Sequence, residues 1–438
     1  MKKAKIVLIG AGSRSFAPGV IRDIVLEDAL AAGVDVEMLL VDLNADVLRE
    51  RLDYANRCAA FKKSKARFST AANREEALKG ADFVIISVAV RRDALWEQDV
   101  RVGQACGFDH VLGECGGPAA AFHALRNYEL VMPICRDIER ICPEALVMNF
   151  TNPEARILTA ILTQTRLRAI GLCHGWGGFH WLVETVLGRS TAGLDIRTAG
   201  MNHFFTYYRI ADSATGEDLI PAFRDAFRAR LNEWDPTTRY LFERFDVVGY
   251  PHGSHTGEYI AGSGELEGCG WDYRPLAIEH RRLSAAETPS EDAIHHAAII
   301  DGTKPVDEKH VKPSGEQAVS IIADLALGRA AWRHAVNVLN TGRYIPNLAE
   351  DGCIEVPMTV SGGVITPETV PALPEGFAAH IRLQHSIQKL LARSYVEKSK
   401  HLLLQALLLD PVVRSPAAAV KFMDWMFDIQ RDYLPAYH

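Results

Sequence analysis

Residues 5–16 read KIVLIGAGSRSF, and this stretch decides the fold of the chain. Its first five residues are rich in β-branched side chains, which is typical of a strand buried on both faces. Gly10 and Gly12 follow at once, and an amphipathic stretch over about residues 18–30 predicts a helix. Strand, glycine turn and helix in this order form the context that a dinucleotide-binding fingerprint requires.

The glycine turn predicts a pyrophosphate site at the positive end of the following helix. Gly10 permits the tight turn, and Gly12 allows the backbone to approach the pyrophosphate. Ser15 replaces the third glycine of the usual pattern, so helix and strand must pack around a hydroxymethyl group. The same loop supplies two further candidate cofactor contacts, Ser13 and Phe16. An ordinary βαβ turn without a ligand is the alternative.

The next strands predict which dinucleotide binds. Residues 36–42 form a second apolar strand that ends in Asp42. An acid there accepts hydrogen bonds from the adenosine ribose, and its charge disfavours a 2′-phosphate, which favours NAD over NADP. A further buried strand over residues 81–89 should bring Val88 to the cofactor crevice. The alternation of strands and helices predicts an α/β fold with a doubly wound Rossmann sheet.

Composition excludes several classes of partner and compartment. The net charge of −7 comes with no broad basic stretch, which argues against nucleic acid. No apolar run reaches membrane-spanning length, and the chain starts directly in a strand without a signal peptide. The eight cysteines show no tight spacing, so we expect reduced thiols and a cytoplasmic protein.

A change of composition near residue 195 predicts two domains. Residues 1–195 should bind NAD, and residues 196–438 should bind substrate and metal and mediate oligomerisation through an α+β fold. The crevice between the two parts is then the natural substrate site. In the second part we expect strands near 205–210 and 352–366 and helices near 219–245, 285–300, 313–327 and 376–430.

Two polar pairs in the middle of the chain are candidate metal ligands. Cys173 precedes His174, and Asn202 precedes His203. A thiolate and an imidazole suit a divalent transition metal, but two ligands are fewer than a protein site usually supplies. Substrate oxygens and water would have to complete the shell. A small buried cysteine and a hydrogen-bonded core histidine are the alternatives.

Three other places carry candidate catalytic or binding groups. Asn152 follows a strand and precedes a proline, where its amide could meet a nicotinamide or a sugar hydroxyl, or form an Asx turn. Glu114 lies in a glycine-rich loop and could serve as acid or base, or complement a helix dipole. His255 and Tyr259 belong to the densest titratable cluster, HGSHTGEY, which could also be a surface loop.

Together these segments resemble glycoside hydrolase family 4, the NAD- and divalent-metal-dependent glycosidases, over nearly the full length. The resemblance implies a lactate/malate dehydrogenase-like organisation, NAD, Mn²⁺ or another divalent transition metal, and a homodimer or homotetramer. This family is an exception to the two-carboxylate mechanism that most glycosidases use. The matching motifs are KIVLIGAGSRSF, ADFVIISV, NFTNPEARI, GLCHG, GMNHF, SGEQAVSII, VNVLNTG, IEVP and LPEG.

The resemblance also implies residue roles and a mechanism. Cys173 and His203 match the metal ligands, Asn152 matches a residue that contacts substrate and cofactor, and Glu114 matches an acid on the leaving-group side. Hydride leaves C3 of the sugar for NAD⁺, a base removes the C2 proton, and the C1–oxygen bond breaks by elimination. Water then adds to C1 and the hydride returns.

Departures from the family pattern restrict the expected substrate class and leave the identity of the C2 base undecided. His174 stands where the phospho-sugar branch has asparagine, which favours unphosphorylated α-glucosides or α-hexuronides, with His174 and Asn202 contacting the sugar. The segment of the C2 base is diverged, so His255 and Tyr259 both remain candidates. The competing functions are a 2-hydroxy acid dehydrogenase, which would not need Cys173, and a non-catalytic NAD-binding sensor, which would need no metal pair.

Overall fold

The computed structural model describes residues 2–14, 16–71, 73–250, 252–266, 290–434 and 436–437. The predicted cofactor contact Ser15 lies outside the described residues, as does the first part of the helix expected near 285–300. Among the described residues, no helix has the length and apolar character needed to cross a membrane.

The N-terminal half contains a parallel sheet of six strands in the order β3-β2-β1-β4-β5-β6. This order confirms the doubly wound Rossmann sheet. The strand order reverses beside β1, which is the point where such sheets bind ligands. The strands are β1 (Lys2–Ile9), β2 (Val34–Val41), β3 (Arg67–Thr70), β4 (Phe83–Ile86), β5 (Leu146–Asn149) and β6 (Arg168–Gly171).

Helices follow the strands as the alternation predicts. The single helix expected over residues 18–30 is instead two helices, because Glu27 leaves the helical conformation with a ψ of 82°. The long helix after Gly116 continues through Pro133. The eight helices that the structure describes in this half are α1 (Ala17–Leu26), α2 (Asp28–Gly33), α3 (Ala45–Lys62), α4 (Arg74–Leu78), α5 (Arg92–Ala105), α6 (Gly117–Ile141), α7 (Glu154–Gln164) and α8 (Gly177–Leu187).

The C-terminal half adds five strands to the same sheet. They are β7 (Leu194–Met201), β8 (Phe204–Asp212), β9 (Ala331–Leu339), β10 (Cys353–Ser361) and β11 (Val364–Pro367). The described helices are α9 (Ile220–Ala229), α10 (Pro236–Phe245), α11 (Gly253–Thr256), α12 (Ser263–Leu266), α13 (Glu291–Ile300), α14 (Ala318–Leu327), α15 (Glu375–Glu397), α16 (Lys400–Leu409) and α17 (Pro416–Ile429).

The two halves share one sheet of eleven strands, since β6 pairs antiparallel with β9 through Gly171 and Asn337. From there the sheet continues through β10 and β7 to β8, while β11 pairs with β10. The predicted boundary at residue 195 falls inside β7, and the division into two domains there stays a prediction. The continuous sheet holds the ends of β1, β4, β5, β6 and β7 in one framework.

Core packing covers both faces of the parallel part of the sheet. Successive residues of β1 point to opposite faces, so Val7 and Ile9 pack in one buried cluster while Ile6 and Leu8 pack in another. Helices α6 and α7 and the last three helices contribute to the first cluster, and α1, α3 and α14 contribute to the second. Burial on both faces holds the strand ends rigidly.

Candidate active site

The turn after β1 has the shape of a dinucleotide cradle. Gly10 has a φ of +92°, and a Cβ atom there would overlap the carbonyl oxygen of Ser87. The N–H groups of Gly10 and Ala11 both donate to the carbonyl oxygen of Val41, at 2.9 and 3.1 Å. A side chain at residue 10 is therefore excluded both by the backbone conformation and by the neighbouring strand end.

Asp42 lies directly against this cradle. Its Oδ2 accepts a hydrogen bond of 2.7 Å from the Gly12 N–H, and its Oδ1 accepts one of 2.9 Å from the Asn44 N–H. A Cβ atom at residue 12 would lie 2.6 Å from Oδ2, so any side chain there would displace the acid from the turn. The arrangement suits a dinucleotide whose pyrophosphate lies over the turn and whose ribose meets the acid.

The other predicted cofactor contacts surround the same switch point. The Phe16 N–H donates to Ser13 Oγ at 3.1 Å, and the Phe16 ring lies 4.2 Å from the ring of Phe150. The Val88 N–H donates to Thr151 Oγ1 at 3.0 Å, which ties the end of β4 to the end of β5. These contacts hold Ser13, Phe16 and Val88 just beyond the carboxyl ends of β1 and β4.

The two predicted metal ligands meet in space although 30 residues separate them. Cys173 Sγ and His203 Nε2 lie 3.4 Å apart. Cys173 follows β6, and His203 lies in the two-residue turn between β7 and β8. Sulfur and nitrogen ligands at about 2.3 and 2.1 Å from a tetrahedral ion lie about 3.5 Å from each other, so the pair fits one shared cation.

His203 is held in an unusual backbone conformation. Its φ is +100°, in a turn position that favours glycine. A non-glycine residue there costs about 1–3 kcal/mol, and such residues concentrate at functional sites. The His203 ring stacks on Tyr250 at 5.6 Å and lies 4.5 Å from the ring of His255. The turn therefore carries an imidazole at a position where glycine would be free of backbone strain. The ring lies in a cluster with Tyr250 and His255.

Cys173 and His203 are the two side chains that could hold a metal ion at this site. No group of three or more His, Cys, Asp or Glu side chains among the described residues could hold a metal ion. Burial raises the pKa of the Cys173 thiol to about 11, and the negative charge of Glu355 acts in the same direction. A bound cation would offset this because it stabilises the thiolate. Sugar oxygens and water would fill the remaining coordination positions.

Glu114 is an ionised carboxylate paired with an arginine. Its Oε1 accepts hydrogen bonds from Arg92 and, at 3.1 Å, from Asn152 Nδ2. Burial raises the pKa of Glu114, but the Arg92 guanidinium outweighs it and brings the pKa to about 2. Glu114 can orient the Asn152 amide, and its low pKa makes it a weak base that suits this positioning role better than proton transfer. Sequence reasoning missed Arg92, although its position just beyond β4 was the available signal.

Glu258 joins the Glu114 loop to the C-terminal half. Its Oε1 accepts hydrogen bonds from the N–H groups of Glu114, at 2.5 Å, and Cys115, at 2.9 Å. Burial raises the pKa of this carboxyl to about 8. A Cβ atom at Gly116 would lie 2.5 Å from the carbonyl oxygen of Glu258, so the two segments touch. The contact positions the loop that carries Glu114.

The two candidates for the C2 base occupy different surroundings. Tyr259 is 2% exposed, and its hydroxyl donates to the carbonyl oxygen of Asn202 at 3.4 Å. Burial raises the pKa of Tyr259 well above its ordinary value. His255 is half-buried, and its ring lies beside His203. The structure thus brings His255 to His203 and places the Tyr259 hydroxyl in the core.

The predicted sugar contacts also differ in exposure. The His174 side chain is 78% exposed, and its Nδ1 lies 3.3 Å from Glu316 Oε1. The hydrogen bond to Glu316 raises the pKa of His174 to about 9. Asn202 is buried, and its Nδ2 donates to Glu355 Oε2 at 3.2 Å. His174 therefore faces solvent next to the metal pair, whereas the Asn202 amide points towards β10.

Known proteins match the chain over nearly its full length. The model of the family 4 glycosyl hydrolases matches residues 5–189, and the model of their C-terminal domain matches residues 198–413. An alpha-glucosidase of Erwinia rhapontici is 29% identical, covering 98% of both chains. An alpha-galacturonidase of Thermoanaerobacter italicus is 28% identical, covering 98% of this chain and 97% of the relative.

Solved structures agree with the fold. The 6-phospho-beta-glucosidase of Thermotoga maritima, solved with manganese, NAD⁺ and glucose-6-phosphate, has a TM-score of 0.77 at 19% identity, covering 98% of this chain and 99% of that one. The lactate dehydrogenase of Cryptosporidium parvum is less similar, with a TM-score of 0.54 at 12% identity, covering 90% of this chain and 99% of that one. The dehydrogenase alternative is not better supported than the glycosidase. The two family models together match both halves, so the chain belongs to the family 4 glycosyl hydrolases.

Proposed function

We propose that the enzyme hydrolyses unphosphorylated α-glycosides, with α-glucosides and α-hexuronides as the substrate class, using NAD⁺ and Mn²⁺ or another divalent transition metal. The observation that carries the proposal is the 3.4 Å approach of Cys173 Sγ to His203 Nε2. The same chain also contains the turn at Gly10 and Gly12 beside Asp42, which we call the glycine cradle. Relatives named alpha-glucosidase and alpha-galacturonidase support the substrate class.

The residue after the metal cysteine supports an unphosphorylated substrate. His174 takes the place of the asparagine found in the phospho-sugar branch, and the carboxylate of Glu316 lies 3.3 Å from it. The pKa of His174 is about 9, so its imidazolium and the Glu316 carboxylate neutralise each other, and the pair offers no net positive charge to a dianionic phosphate. The exposed His174 ring can still donate a hydrogen bond to a sugar hydroxyl or to a single carboxylate.

The side chains of the enzyme position the sugar and move its protons. When bound, NAD⁺ accepts and later returns a hydride, while the divalent cation acts as a Lewis acid for the sugar oxygens. Asn152, oriented by the ionised Glu114, can hold a sugar hydroxyl beside the cofactor crevice. We assign the C2 base to His255, because an imidazole accepts protons near neutral pH and the Tyr259 hydroxyl is buried.

We also propose that the enzyme is a cytoplasmic homodimer or homotetramer. Every cysteine that the structure describes is a free thiol, which suits a reducing compartment. The last two helices leave large apolar side chains exposed, and a second copy of the chain could cover them. These side chains are Leu408, Leu409, Val420 and Trp425.

The decisive experiment follows the hydrogen at C2. With p-nitrophenyl α-glucoside or α-galacturonide, NAD⁺ and Mn²⁺ in D₂O, we expect deuterium at C2 of the released sugar. The base that removes the C2 proton can exchange it with solvent before the proton returns. Mass spectrometry of the product measures the label, and activity should disappear after removal of either NAD or metal.

Two outcomes would decide against this mechanism. Full activity after NAD removal, together with unlabelled C2, would indicate direct displacement at C1, which needs two carboxylates about 5–9.5 Å apart and neither cofactor. Net formation of NADH from a 2-hydroxy acid would instead identify a dehydrogenase. A 6-phosphoglycoside hydrolysed in preference to its unphosphorylated counterpart would contradict the substrate class.

A change at Glu258 should loosen the Glu114 loop. Glu258→Ala is expected to lower kcat/KM by about 10- to 100-fold, because it leaves the Glu114 and Cys115 N–H groups without their acceptor. Glu258→Gln retains a carbonyl acceptor and should recover most of the activity. Steady-state kinetics measures both variants. Equal activity of the alanine and glutamine variants would contradict this role.

A further inference from the structure

Glu355 lies on an interior strand of the sheet, close to the segments that carry Cys173 and His203. Its strand β10 runs between β9 and β7, and Glu355 is paired with Asn337 on one side and Gly200 on the other. The side chain is buried. Its Oε2 accepts two hydrogen bonds, from Asn337 Nδ2 at 3.0 Å and from Asn202 Nδ2 at 3.2 Å.

Each of these amides leads to one metal ligand. Asn202 immediately precedes His203 in the turn between β7 and β8. Asn337 Nδ2 also donates, at 3.4 Å, to the carbonyl oxygen of Gly171, two residues before Cys173. A single carboxylate oxygen therefore connects the two chain segments that supply the thiol and the imidazole, although they belong to different halves of the protein.

The turn at His203 needs such an anchor. Backbone with a φ of +100° is disfavoured for histidine and persists only where the surroundings determine it. Asn202 is held on both sides, since its amide binds Glu355 and its carbonyl oxygen accepts from the Tyr259 hydroxyl. The Glu355 contact is therefore one of the two hydrogen bonds that fix Asn202 beside His203.

We propose that Glu355 is a positioning residue of the metal site, which holds Cys173 and His203 at ligand spacing through Asn337 and Asn202. The inference rests on the proposed metal site and adds a residue to which the sequence analysis gave no role. Residues that orient metal ligands from behind commonly change metal affinity by about 10- to 100-fold when they are removed. Glu355 orients the two metal ligands through Asn337 and Asn202.

The test measures Mn²⁺ binding to the full chain by the EPR signal of free Mn²⁺, with NAD⁺ present. Glu355→Ala should weaken Mn²⁺ binding by about 10- to 100-fold, while NAD⁺ affinity measured by calorimetry stays at the parental value. Glu355→Gln keeps a carbonyl that can accept both amides and should recover much of the Mn²⁺ affinity. Asn202→Ala, which removes the link between Glu355 and the His203 turn, should also weaken binding.

Asp324→Ala serves as the matched control, because Asp324 is another buried carboxylate, paired with arginines on and beside β9. This control should lower the melting temperature and leave Mn²⁺ affinity unchanged. If folded Glu355→Ala binds Mn²⁺ with parental affinity, the role of Glu355 is overturned, while the proposed metal site is not. If Glu355→Ala does not fold, parental Mn²⁺ affinity in Asn202→Ala has the same meaning. A parent chain that binds no Mn²⁺ would overturn the proposed metal site and this role with it.

Discussion

Cys173→Ser and His203→Ala should each lower kcat/KM by more than about 1,000-fold, which corresponds to a loss of about 4 kcal/mol of transition-state stabilisation. Because the proposed site has two protein ligands, removing either one should prevent metal binding. Serine replaces a soft thiolate with a hydroxyl that binds a transition metal poorly. Alanine removes the imidazole and leaves Tyr250 without its stacking partner.

The measurement combines kinetics with Mn²⁺ binding and thermal unfolding. Both variants should lose Mn²⁺ affinity and retain NAD⁺ affinity, because the glycine cradle lies at the end of β1 and is built against Ser87 and Asp42. Cys106→Ser is the control, since Cys106 is likewise half-buried but lies at the end of α5. Full turnover of either metal-site variant in EDTA would rule out the metal role.

Gly12→Val should lower NAD⁺ affinity by at least about 100-fold, or about 3 kcal/mol. A Cβ atom at residue 12 already lies 2.6 Å from Asp42 Oδ2, and the two methyl groups of valine extend further into the cradle. The substitution therefore displaces the acid that should meet the ribose and blocks the approach of the pyrophosphate. Catalytic activity should fall in parallel, because no hydride acceptor is bound.

Calorimetry with NAD⁺ measures the effect, and Mn²⁺ binding by the same variant is its control. Mn²⁺ affinity should stay at the parental value, the reverse of the pattern expected for Cys173→Ser. Asp42→Asn retains the shape of the acid and should cause a smaller loss of NAD⁺ affinity, since its oxygen can still accept the hydrogen bond from Gly12. Unchanged NAD⁺ affinity in Gly12→Val would contradict the assignment of the cradle.

Local patterns predicted the parallel part of the fold well, because each strand there is buried on both faces and reads as an apolar run. The strands expected over 5–9 and 36–42 are β1 (Lys2–Ile9) and β2 (Val34–Val41). In the antiparallel part, the strands expected near 205–210 and 352–366 are β8 and β10 with β11, whereas β7 and β9 were not predicted. Strand β9 reads AWRHAVNVL, and its arginine, histidine and asparagine obscure the apolar pattern because they pair with groups on distant segments.

The candidate site was likewise predicted only in part, because residue types are local whereas contacts between distant segments are not. Cys173 and His203 were chosen by residue type and by family resemblance, whereas their 3.4 Å approach depends on β6 joining β7 through two intervening strands. Arg92, which holds Glu114 ionised, received no role from the sequence, because nothing in the 21 residues between them indicates a contact. The choice between His255 and Tyr259 likewise needed the surroundings of each side chain.

The sequence by itself determined the Rossmann order, the glycine cradle with Asp42, and the residue types suited to a metal, since periodicity, turn chemistry and ligand chemistry are local properties. Only the tertiary structure decided how the site is assembled. Pairing between β6 and β9 merges both halves into one sheet, and burial sets the pKa values of Cys173 and Glu258. Contact and desolvation depend on which distant segments meet, and no single stretch of sequence carries that information.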